Sequence, residues 1–392
     1  MSHDLQHAPP PADSPTSDLR QEAARCVACG LCLPHCPTYR KTLNEADSPR
    51  GRIFMMAAAL EGRLQLTPEL LGHLDLCLAC RACENACPSQ VRYGWLVDGM
   101  RARTEAQRQR PLRQTLLRRV LFGVSAAPRL LRGAGLLLRA VGRAAAPRPG
   151  TYPAIGTPRG EVGLFLGCVA RLSDAPTLEA AVFVLNRLGY TVRVSARQTC
   201  CGALHRHNGE GETAQSLADD NRAAFAAPQL AAILHASSGC GATLAEYDPP
   251  LAAPVLDVGA FLAGAQGWDD IGLVPLAATV AVHESCSSRN VLHDQNSAYA
   301  LLRRIPGASV IPLPGNDQCC GAAGSYSLTQ PEMAGLLLRD KIDAIKDSGT
   351  RYIATSNPGC AMHMARGLRR EGHEVEVLHP ISLIARQMGY TK

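Results

Sequence analysis

Sixteen cysteines constrain this 392-residue chain more than any other feature of its sequence. They stand in tight clusters, whereas the cysteines that staple small secreted domains are spread along a short chain. The N-terminal residues carry no signal-peptide pattern, so we expect no export, and in a reducing compartment clustered thiols bind metals more often than they form disulfides. The clustering therefore predicts a metal-binding or redox protein.

Two internal repeats account for all the cysteines. In one repeat, a group of four cysteines recurs 51 positions later in the sequence. In the other, a second group of four cysteines recurs 118 to 120 positions later. The first repeat consists of Cys26, Cys29, Cys32 and Cys36, followed by Cys77, Cys80, Cys83 and Cys87. The second consists of Cys168, Cys200, Cys201 and Cys240, followed by Cys286, Cys319, Cys320 and Cys360. Each repeat predicts a duplicated site.

The first repeat has the pattern C-x2-C-x2-C-x3-C-P in both copies, CVACGLCLPHCP and CLACRACENACP. This run is typical of bacterial two-cluster ferredoxins, in which the fourth cysteine of each run binds the other cluster. It predicts one [4Fe-4S] cluster bound by Cys26, Cys29, Cys32 and Cys87, and another bound by Cys77, Cys80, Cys83 and Cys36. Zinc and disulfides are the alternatives, and a complete run with its terminal proline, present twice, disfavours both.

The second repeat joins a Cys-Cys-Gly segment to cysteines from two other predicted loops. Adjacent cysteines reach one site only where the chain turns sharply, and Gly202 and Gly321 permit such a turn. The pattern predicts two further four-thiol sites for metal, with a structural or reactive dithiol without iron as the alternative. Four histidines lie near these sites in the sequence, and we expect each to form hydrogen bonds rather than to bind metal: His205, His207, His283 and His363. Of these, His283 and His205 are the candidates to tune a cluster or move a proton.

Composition and periodicity divide the chain into five segments. They are a disordered lead-in (1–18), a mainly α-helical two-cluster domain (19–100), a basic amphipathic helical linker (101–159) and two cysteine-rich repeats (160–270 and 271–392). In both repeats, β-rich runs alternate with helical stretches, which predicts an α/β fold with parallel strands. The cysteines would then lie just beyond strand ends, where such sheets hold ligands.

Residues 101–150 contain twelve arginines, no lysine and one acidic residue, Glu105. One interpretation is a pair of solvated linker helices. The other is a surface for an acidic partner subunit or for anionic lipid headgroups. The arginines that would carry such docking are Arg113, Arg118, Arg119, Arg129 and Arg132. Nucleic-acid binding is not expected, because two Trp and six Phe provide few stacking platforms. No apolar run of about 18 residues is present, so any membrane contact should be peripheral.

Several longer segments resemble one known family. CVACGLCLPHCPTY, SPRGRI, HLDLCLACRACENACPSQVRYG, CCGALHRHNG and CCGAAGSYSLTQPEMA occur in its order and spacing from about residue 20 to the C-terminus. The family is that of the iron-sulfur subunits of bacterial glycolate oxidase complexes. The layout is also similar to the third subunit of anaerobic glycerol-3-phosphate dehydrogenase and, more distantly, to heterodisulfide reductase subunits, which stay as alternatives.

The resemblance implies that the chain has no catalytic residue of its own and works as one subunit of a 2-hydroxy acid oxidoreductase. Two partner subunits with FAD would oxidise glycolate, with D-lactate as a related substrate. This chain would pass their electrons to a quinone or another membrane acceptor, in the cytoplasm and peripheral to the inner membrane. The eight ferredoxin-type cysteines match the family's cluster ligands. No flavin-binding or nicotinamide-binding signature occurs in the chain.

One departure concerns the end of each cysteine-rich repeat. Ser237 and Asn357 stand where fully equipped members of the wider group have the first cysteine of a C-x2-C pair. The loss of that thiolate disfavours disulfide-reducing chemistry. It leaves open whether one, two or neither repeat binds a further iron-sulfur cluster.

Overall fold

The structure is a computed structural model that describes residues 16–105, 107–108, 110, 112–127, 130, 133, 145–227 and 229–391. Most of the predicted lead-in lies outside this range, and so do Arg129 and Arg132 of the basic segment. The domain boundaries placed at 19–100, 101–159, 160–270 and 271–392 stay predictions.

The N-terminal part is built from helices, as predicted. They are α1 (Thr16–Ala24), α2 (Pro37–Thr42), α3 (Pro49–Leu60), α4 (Pro68–Asp75), α5 (Ala82–Asn85) and α6 (Tyr93–Glu105). Helix α3 begins where the side chain of Ser48 accepts a hydrogen bond from the backbone N–H of Gly51, so the Ser-Pro start of SPRGRI acts as a helix cap. Leu19, Met56 and Leu96 form part of its core.

Helix α4 is shorter than the sequence suggested. The apolar pattern of LTPELLGHLDLCLACRAC predicts a helix that enters the second cysteine run, but α4 ends at Asp75, before Cys77. Ala79 and Arg81 have positive φ angles of 51° and 60°, which a right-handed helix does not allow. The chain therefore leaves the helix to form a loop around the cysteines.

The C-terminal part contains two mostly parallel sheets. The first has the order β1-β3-β2-β4-β5, with strands β1 (Gly150–Tyr152), β2 (Gly160–Phe165), β3 (Tyr190–Val194), β4 (Leu230–His235) and β5 (Val255–Asp257). The second has the order β7-β6-β8-β9, with strands β6 (Thr279–Val282), β7 (Ser309–Pro312), β8 (Tyr352–Ala354) and β9 (Glu376–Leu378). Among the described strands only β1 pairs antiparallel, and it falls within the range predicted as a helical linker. The parallel α/β prediction is confirmed.

Helices connect these strands. They are α7 (Leu112–Ala126), α8 (Val169–Ser173), α9 (Ala175–Arg187), α10 (Ala203–Arg206), α11 (Gly211–Ala224), α12 (Ser238–Ala245), α13 (Val258–Ala263), α14 (Asn296–Leu302), α15 (Tyr326–Thr329), α16 (Pro331–Ser348), α17 (Pro358–Arg370) and α18 (Pro380–Gln387). One apolar core includes Leu178 from the first repeat and Leu301 and Ile384 from the second. The two repeats therefore pack on each other.

Helix α7 belongs to the basic segment and has two different faces. Its inner face buries Phe122 and Ser125. Arg118 was expected to be a docking residue, and this is wrong, because its guanidinium pairs with Glu105 at 2.9 Å and with Glu210 at 3.6 Å. The outer face exposes apolar side chains at every fourth position, Leu112, Leu116, Val120 and Val124. Within the described residues, no helix combines the length and the apolar character that crossing a bilayer requires.

Candidate metal centres

Two neighbouring cavities collect the eight ferredoxin-type cysteines. The first, about 420 Å³ and open to solvent, has Cys26, Cys29, Cys32 and Cys87 in its wall. The second, about 300 Å³, has Cys36, Cys77, Cys80 and Cys83 in its wall. The structure thus brings the fourth cysteine of each run to the other run. Cys83 also lines the first cavity, so the two cavities share a wall.

Left-handed residues let each run curl around its cavity. Ala28 lies between the first two cysteines of one run and Ala79 at the matching place in the other, with φ angles of 59° and 51°. Gly30 follows with φ +80°, a conformation that suits glycine. Successive thiols therefore turn toward one centre and do not alternate in direction.

The donor set of these cavities fits iron-sulfur clusters. Thiolates are soft ligands that select iron-sulfur clusters or zinc, and at least four cysteines drawn from both runs line each cavity. Burial raises the pKa of the Cys80 and Cys83 thiols well above the ordinary value, and that of Cys32 to about 11. Metal binding at these thiols must therefore displace protons.

A buried arginine lies against the second cavity. Arg52 is 1% exposed, donates to the carbonyl of His73 at 2.7 Å and to the hydroxyl of Thr38 at 3.1 Å, and reaches the Cys36 sulfur at 4.0 Å. Its guanidinium also lies 3.7 Å from the carboxylate of Asp47. No role for Arg52 was expected from the sequence, although this residue lies in the SPRGRI segment. Its position places a permanent positive charge beside thiolate ligands.

The cysteine-rich repeats form two further thiol sites. In the first, the Cys168 and Cys200 sulfurs are 3.4 Å apart, and Cys201 is hydrogen-bonded to Cys240. In the second, the Cys320 and Cys360 sulfurs are 3.1 Å apart, and Cys286 is hydrogen-bonded to Cys319. All four cysteines of each repeat therefore belong to one site. Cys240 and Cys360 lie in the first turns of α12 and α17, a few residues past the strands.

Glycine is required in both Cys-Cys-Gly turns. Gly202 and Gly321 have φ angles of +84° and +86°. A Cβ atom at Gly321 would lie 2.8 Å from the carbonyl oxygen of Ala334, and one at Gly202 would lie 3.1 Å from that of Ala214. The sharp turn expected from the sequence is therefore present in each repeat, with a helix packed against it.

The second thiol site adjoins the second ferredoxin-type cavity. Cys80 from that cavity and Cys286 from the repeat pack against one apolar cluster that includes Leu78 and Cys319. The side chain of Asn290 donates to the carbonyl of Cys80 at 2.8 Å, and the Tyr326 hydroxyl donates to the carbonyl of Leu76 at 2.9 Å. These contacts fix the loop of the second run directly on the second repeat.

Three of the four histidines have hydrogen-bonding partners away from the sulfur atoms. His205 pairs with Glu210 at 2.9 Å, His207 with the carboxylate of Asp98 at 3.1 Å, and His363 with the carbonyl of Ala334 at 3.5 Å. His283 differs, because one of its ring nitrogens and the sulfurs of Cys320 and Cys360 all lie within 4.8 Å of one another. Burial lowers the pKa of His283 to about 3.

The residues that replace the missing cysteines have structural partners. Asn357 caps α17, since its side-chain oxygen accepts from the backbone N–H groups of Gly359 at 2.9 Å and Cys360 at 3.3 Å. Ser237 is the N-cap residue of α12, where its backbone carbonyl accepts from the N–H of Gly241 at 2.9 Å but its side chain makes no capping hydrogen bond. Only Asn357 therefore caps its helix with the side chain that replaces the thiol.

Comparison with known proteins gives similarities that run nearly end to end. Residues 22–91 match the 4Fe-4S dicluster domain family, and residues 162–245 and 280–365 each match the cysteine-rich domain family known as CCG. The “Probable glycolate oxidase iron-sulfur subunit” of Bacillus subtilis (strain 168) is 33% identical over 94% of this chain and 95% of its own length. The glycolate oxidase iron-sulfur subunit of Escherichia coli (strain K12) is 32% identical over 93% of this chain and 97% of its own. Lactate utilization protein A of Oceanobacillus iheyensis is 28% identical over 56% of this chain and 94% of its own.

Proposed function

This chain belongs to the family of glycolate oxidase iron-sulfur subunits, and we propose on that basis that it is the electron-transfer subunit of a complex that oxidises glycolate. The observation that carries the proposal is the pair of adjoining cavities, each enclosed by four thiols drawn from both cysteine runs. Partner subunits that contain FAD would oxidise the substrate, and a quinone or another membrane acceptor would take the electrons. D-lactate is a second candidate substrate, supported by the similarity to lactate utilization protein A.

The residues of the chain would hold the clusters as follows. Cys26, Cys29, Cys32 and Cys87 would bind one [4Fe-4S] cluster, and Cys36, Cys77, Cys80 and Cys83 the other. When bound, such clusters accept and release single electrons. With all four thiols engaged, no position stays open for a substrate. Cys29 is exposed, whereas Cys36, Cys77 and Cys83 are buried. The first cavity therefore faces outward and is called the outer cavity below, and the second lies inside the chain and is called the inner cavity.

The two thiol sites of the repeats would bind additional metal. The site of the second repeat lies beside the second cavity, since Cys286 and Cys80 pack against the same apolar cluster, and this supports a role in the same electron transfer. The first repeat's site is tied to the N-terminal part by different contacts: Arg81 and Arg206 pair with Glu246, and His207 pairs with Asp98. The chain thereby holds all its thiol sites in fixed relation to one another.

Glycolate-dependent reduction of an artificial acceptor tests this function. The chain is purified anaerobically with its two flavin partners, and we expect Cys80→Ser to abolish the activity because it removes a thiolate of the inner cavity. Val274→Ala, at a residue that is 60% exposed and lies in neither cavity, serves as the control and should retain full activity. Glycolate oxidation through the complex that is indifferent to Cys80→Ser would refute the proposal. Replacing glycolate by D-lactate in the same assay distinguishes the two substrates.

We also propose that the outer face of α7 lies on an anionic membrane surface. Leu112, Leu116, Val120 and Val124 form an exposed apolar stripe, and the neighbouring Arg119 is exposed as well. A helix with an apolar stripe and arginines beside it is suited to lie in the plane of lipid headgroups. The twelve arginines and single acidic residue of 101–150 give this segment a positive charge, which anionic lipid headgroups complement.

Vesicle binding checks the membrane proposal. We expect the chain to sediment with vesicles that contain anionic lipid, and to be released by salt because exposed charge contacts are screened within about 10 Å at 0.1 M ionic strength. Leu116→Glu should reduce binding, whereas Val274→Glu, at another residue that is 60% exposed, should leave it unchanged. Equal binding to neutral vesicles, or binding that Leu116→Glu does not alter, would count against the proposal.

A further inference from the structure

The two cysteine-rich repeats have matching thiols but different surroundings. His283 stands three residues before Cys286, and Phe165 stands three residues before Cys168 in the first repeat. Lys341 in α16 lies 120 positions after Asn221 in α11, the same displacement that relates Ala334 to Ala214 at the Cys-Cys-Gly turns. The second site has therefore acquired a histidine and a lysine where the first site has a phenyl ring and an amide.

His283 is held rigidly beside the thiols. It is 2% exposed, and its backbone N–H donates to the carbonyl of Ala354 at 2.9 Å. Its Nδ1 pairs with the hydroxyl of Thr355 at 2.9 Å, which leaves Nε2 as the other ring nitrogen. A hydrogen bond at one ring nitrogen is the usual means by which proteins orient a histidine that binds metal through the other.

The spacing of the donor atoms suits ligands of one metal. A tetrahedral ion with metal–sulfur bonds of about 2.3 Å places its sulfur ligands about 3.7 Å apart. The Cys320 and Cys360 sulfurs are 3.1 Å apart, and a ring nitrogen of His283 lies within 4.8 Å of both. Small adjustments of the side chains would place these three atoms around a common metal.

Lys341 indicates that the second site carries negative charge. It is 2% exposed, and its ammonium group donates to the carbonyl of Gly315 at 2.5 Å. Among the described residues, no carboxylate lies within 4.0 Å of that ammonium group. The groups nearby that can carry negative charge are first the thiols of Cys320, Cys319 and Cys360 and then the carboxylate of Asp317. Burial of a lysine is costly without a compensating negative charge, which metal-bound thiolates would supply.

We propose that His283 is a metal ligand, so that the second repeat binds iron or zinc through imidazole and thiolate together while the first repeat offers thiolates alone. Imidazole and thiolate both suit these two metals. The proposal deepens the proposed function, since it takes the thiols of the second repeat as metal ligands. It does not depend on glycolate as the substrate.

The decisive experiment uses the full chain, purified anaerobically with and without ¹⁵N-labelled histidine. Iron and zinc are quantified, pulsed EPR measures nitrogen coupling to iron, and X-ray absorption at the zinc edge counts nitrogen and sulfur neighbours. We expect either a coupling that changes with histidine labelling or a zinc atom with one nitrogen neighbour. Eight iron atoms alone, which two four-iron clusters account for, would overturn the proposal, as would further metal with sulfur ligands only.

Variants identify the histidine. His283→Phe introduces the residue that the first repeat has at this place, and it should abolish the histidine coupling or the zinc–nitrogen contact while eight iron atoms stay bound. His363→Gln, three residues after Cys360 but with its ring hydrogen-bonded to the carbonyl of Ala334, should change neither signal. A nitrogen signal that persists in His283→Phe would overturn the assignment. If His283→Phe does not fold, His283→Gln takes its place, and the labelled wild-type spectrum is informative in either case. These measurements use no glycolate, so failure of the proposed substrate would not affect them.

Discussion

Replacing Cys87 by serine is expected to remove the same iron as replacing Cys29, although the two residues belong to different runs of the sequence. Both line the outer cavity together with Cys26 and Cys32. Serine offers a hard oxygen ligand where iron-sulfur chemistry needs a soft thiolate. Each variant should therefore lose about four iron atoms per chain, the content of one cluster.

The matched pair at the inner cavity is Cys36→Ser and Cys80→Ser. These should remove the other cluster, so two classes of EPR spectrum are expected from the four variants, with Val274→Ala as the unchanged reference. If Cys87→Ser instead gave the spectrum of Cys80→Ser, each run would bind its own cluster. The crossed assignment would then be wrong, and the cavities would be mere neighbours of the true sites.

The sequence predicts the eight thiols well because their spacing is local. Three cysteines within seven residues can surround one centre whatever the rest of the chain does, and the proline after the fourth fixes a turn. The parallel strands are predictable for a similar reason, since apolar runs alternate with amphipathic helices in both repeats. Three strands were not predicted from the sequence because they have only three residues each, too few for a periodic pattern. They are β1, β5 and β9.

Contacts between distant parts of the chain could not be predicted from the sequence. Arg118 lies on a helix whose pattern shows one polar face, but the pattern does not reveal that Glu210, 92 positions away, occupies that face. The buried position of Lys341 could not be predicted for the same reason. Its helix is amphipathic, and only the packing of α16 over the Cys-Cys-Gly turn shows that this lysine points toward thiols. Polar residues inside the fold are therefore the ones that periodicity misassigns to the surface.

The two repeats differ in the residues that surround their thiols. Cysteine spacing alone treats both sites as copies, because all four thiols recur. The matched pairs Phe165 with His283 and Asn221 with Lys341 become informative only when the three-dimensional site shows that they surround the thiols. Asn221 donates to the carbonyl of Cys200 at 2.9 Å, so the first site is held by neutral hydrogen bonds where the second has a cation.

Arg52→Met is expected to be the most destabilising single change outside the cysteines. The variant keeps much of the apolar stem but removes the guanidinium that reaches His73, Thr38 and Asp47. Asp47 is 4% exposed and would keep its 2.8 Å contact with His73 but lose the permanent positive charge of Arg52, and breaking a buried ion pair typically costs up to about 3–5 kcal/mol of folding free energy. We expect a drop of several degrees in the midpoint of thermal unfolding, measured anaerobically at one fixed scan rate.

Arg50→Met provides the control, because Arg50 lies in the same helix and pairs with Glu45 at 2.7 Å, at the surface. Exposed ion pairs contribute about 0–1 kcal/mol, so its midpoint should move little. Iron content separates two explanations of a large effect at Arg52. Loss of about four iron atoms on the folded variant would mean that the cation mainly holds the thiolates of the inner cavity. Full iron with a lowered midpoint would mean that it mainly holds Asp47 and the loop around Thr38. Equal midpoints for Arg52→Met and Arg50→Met would refute both, and with them the view that SPRGRI supplies a buried cation to the inner site.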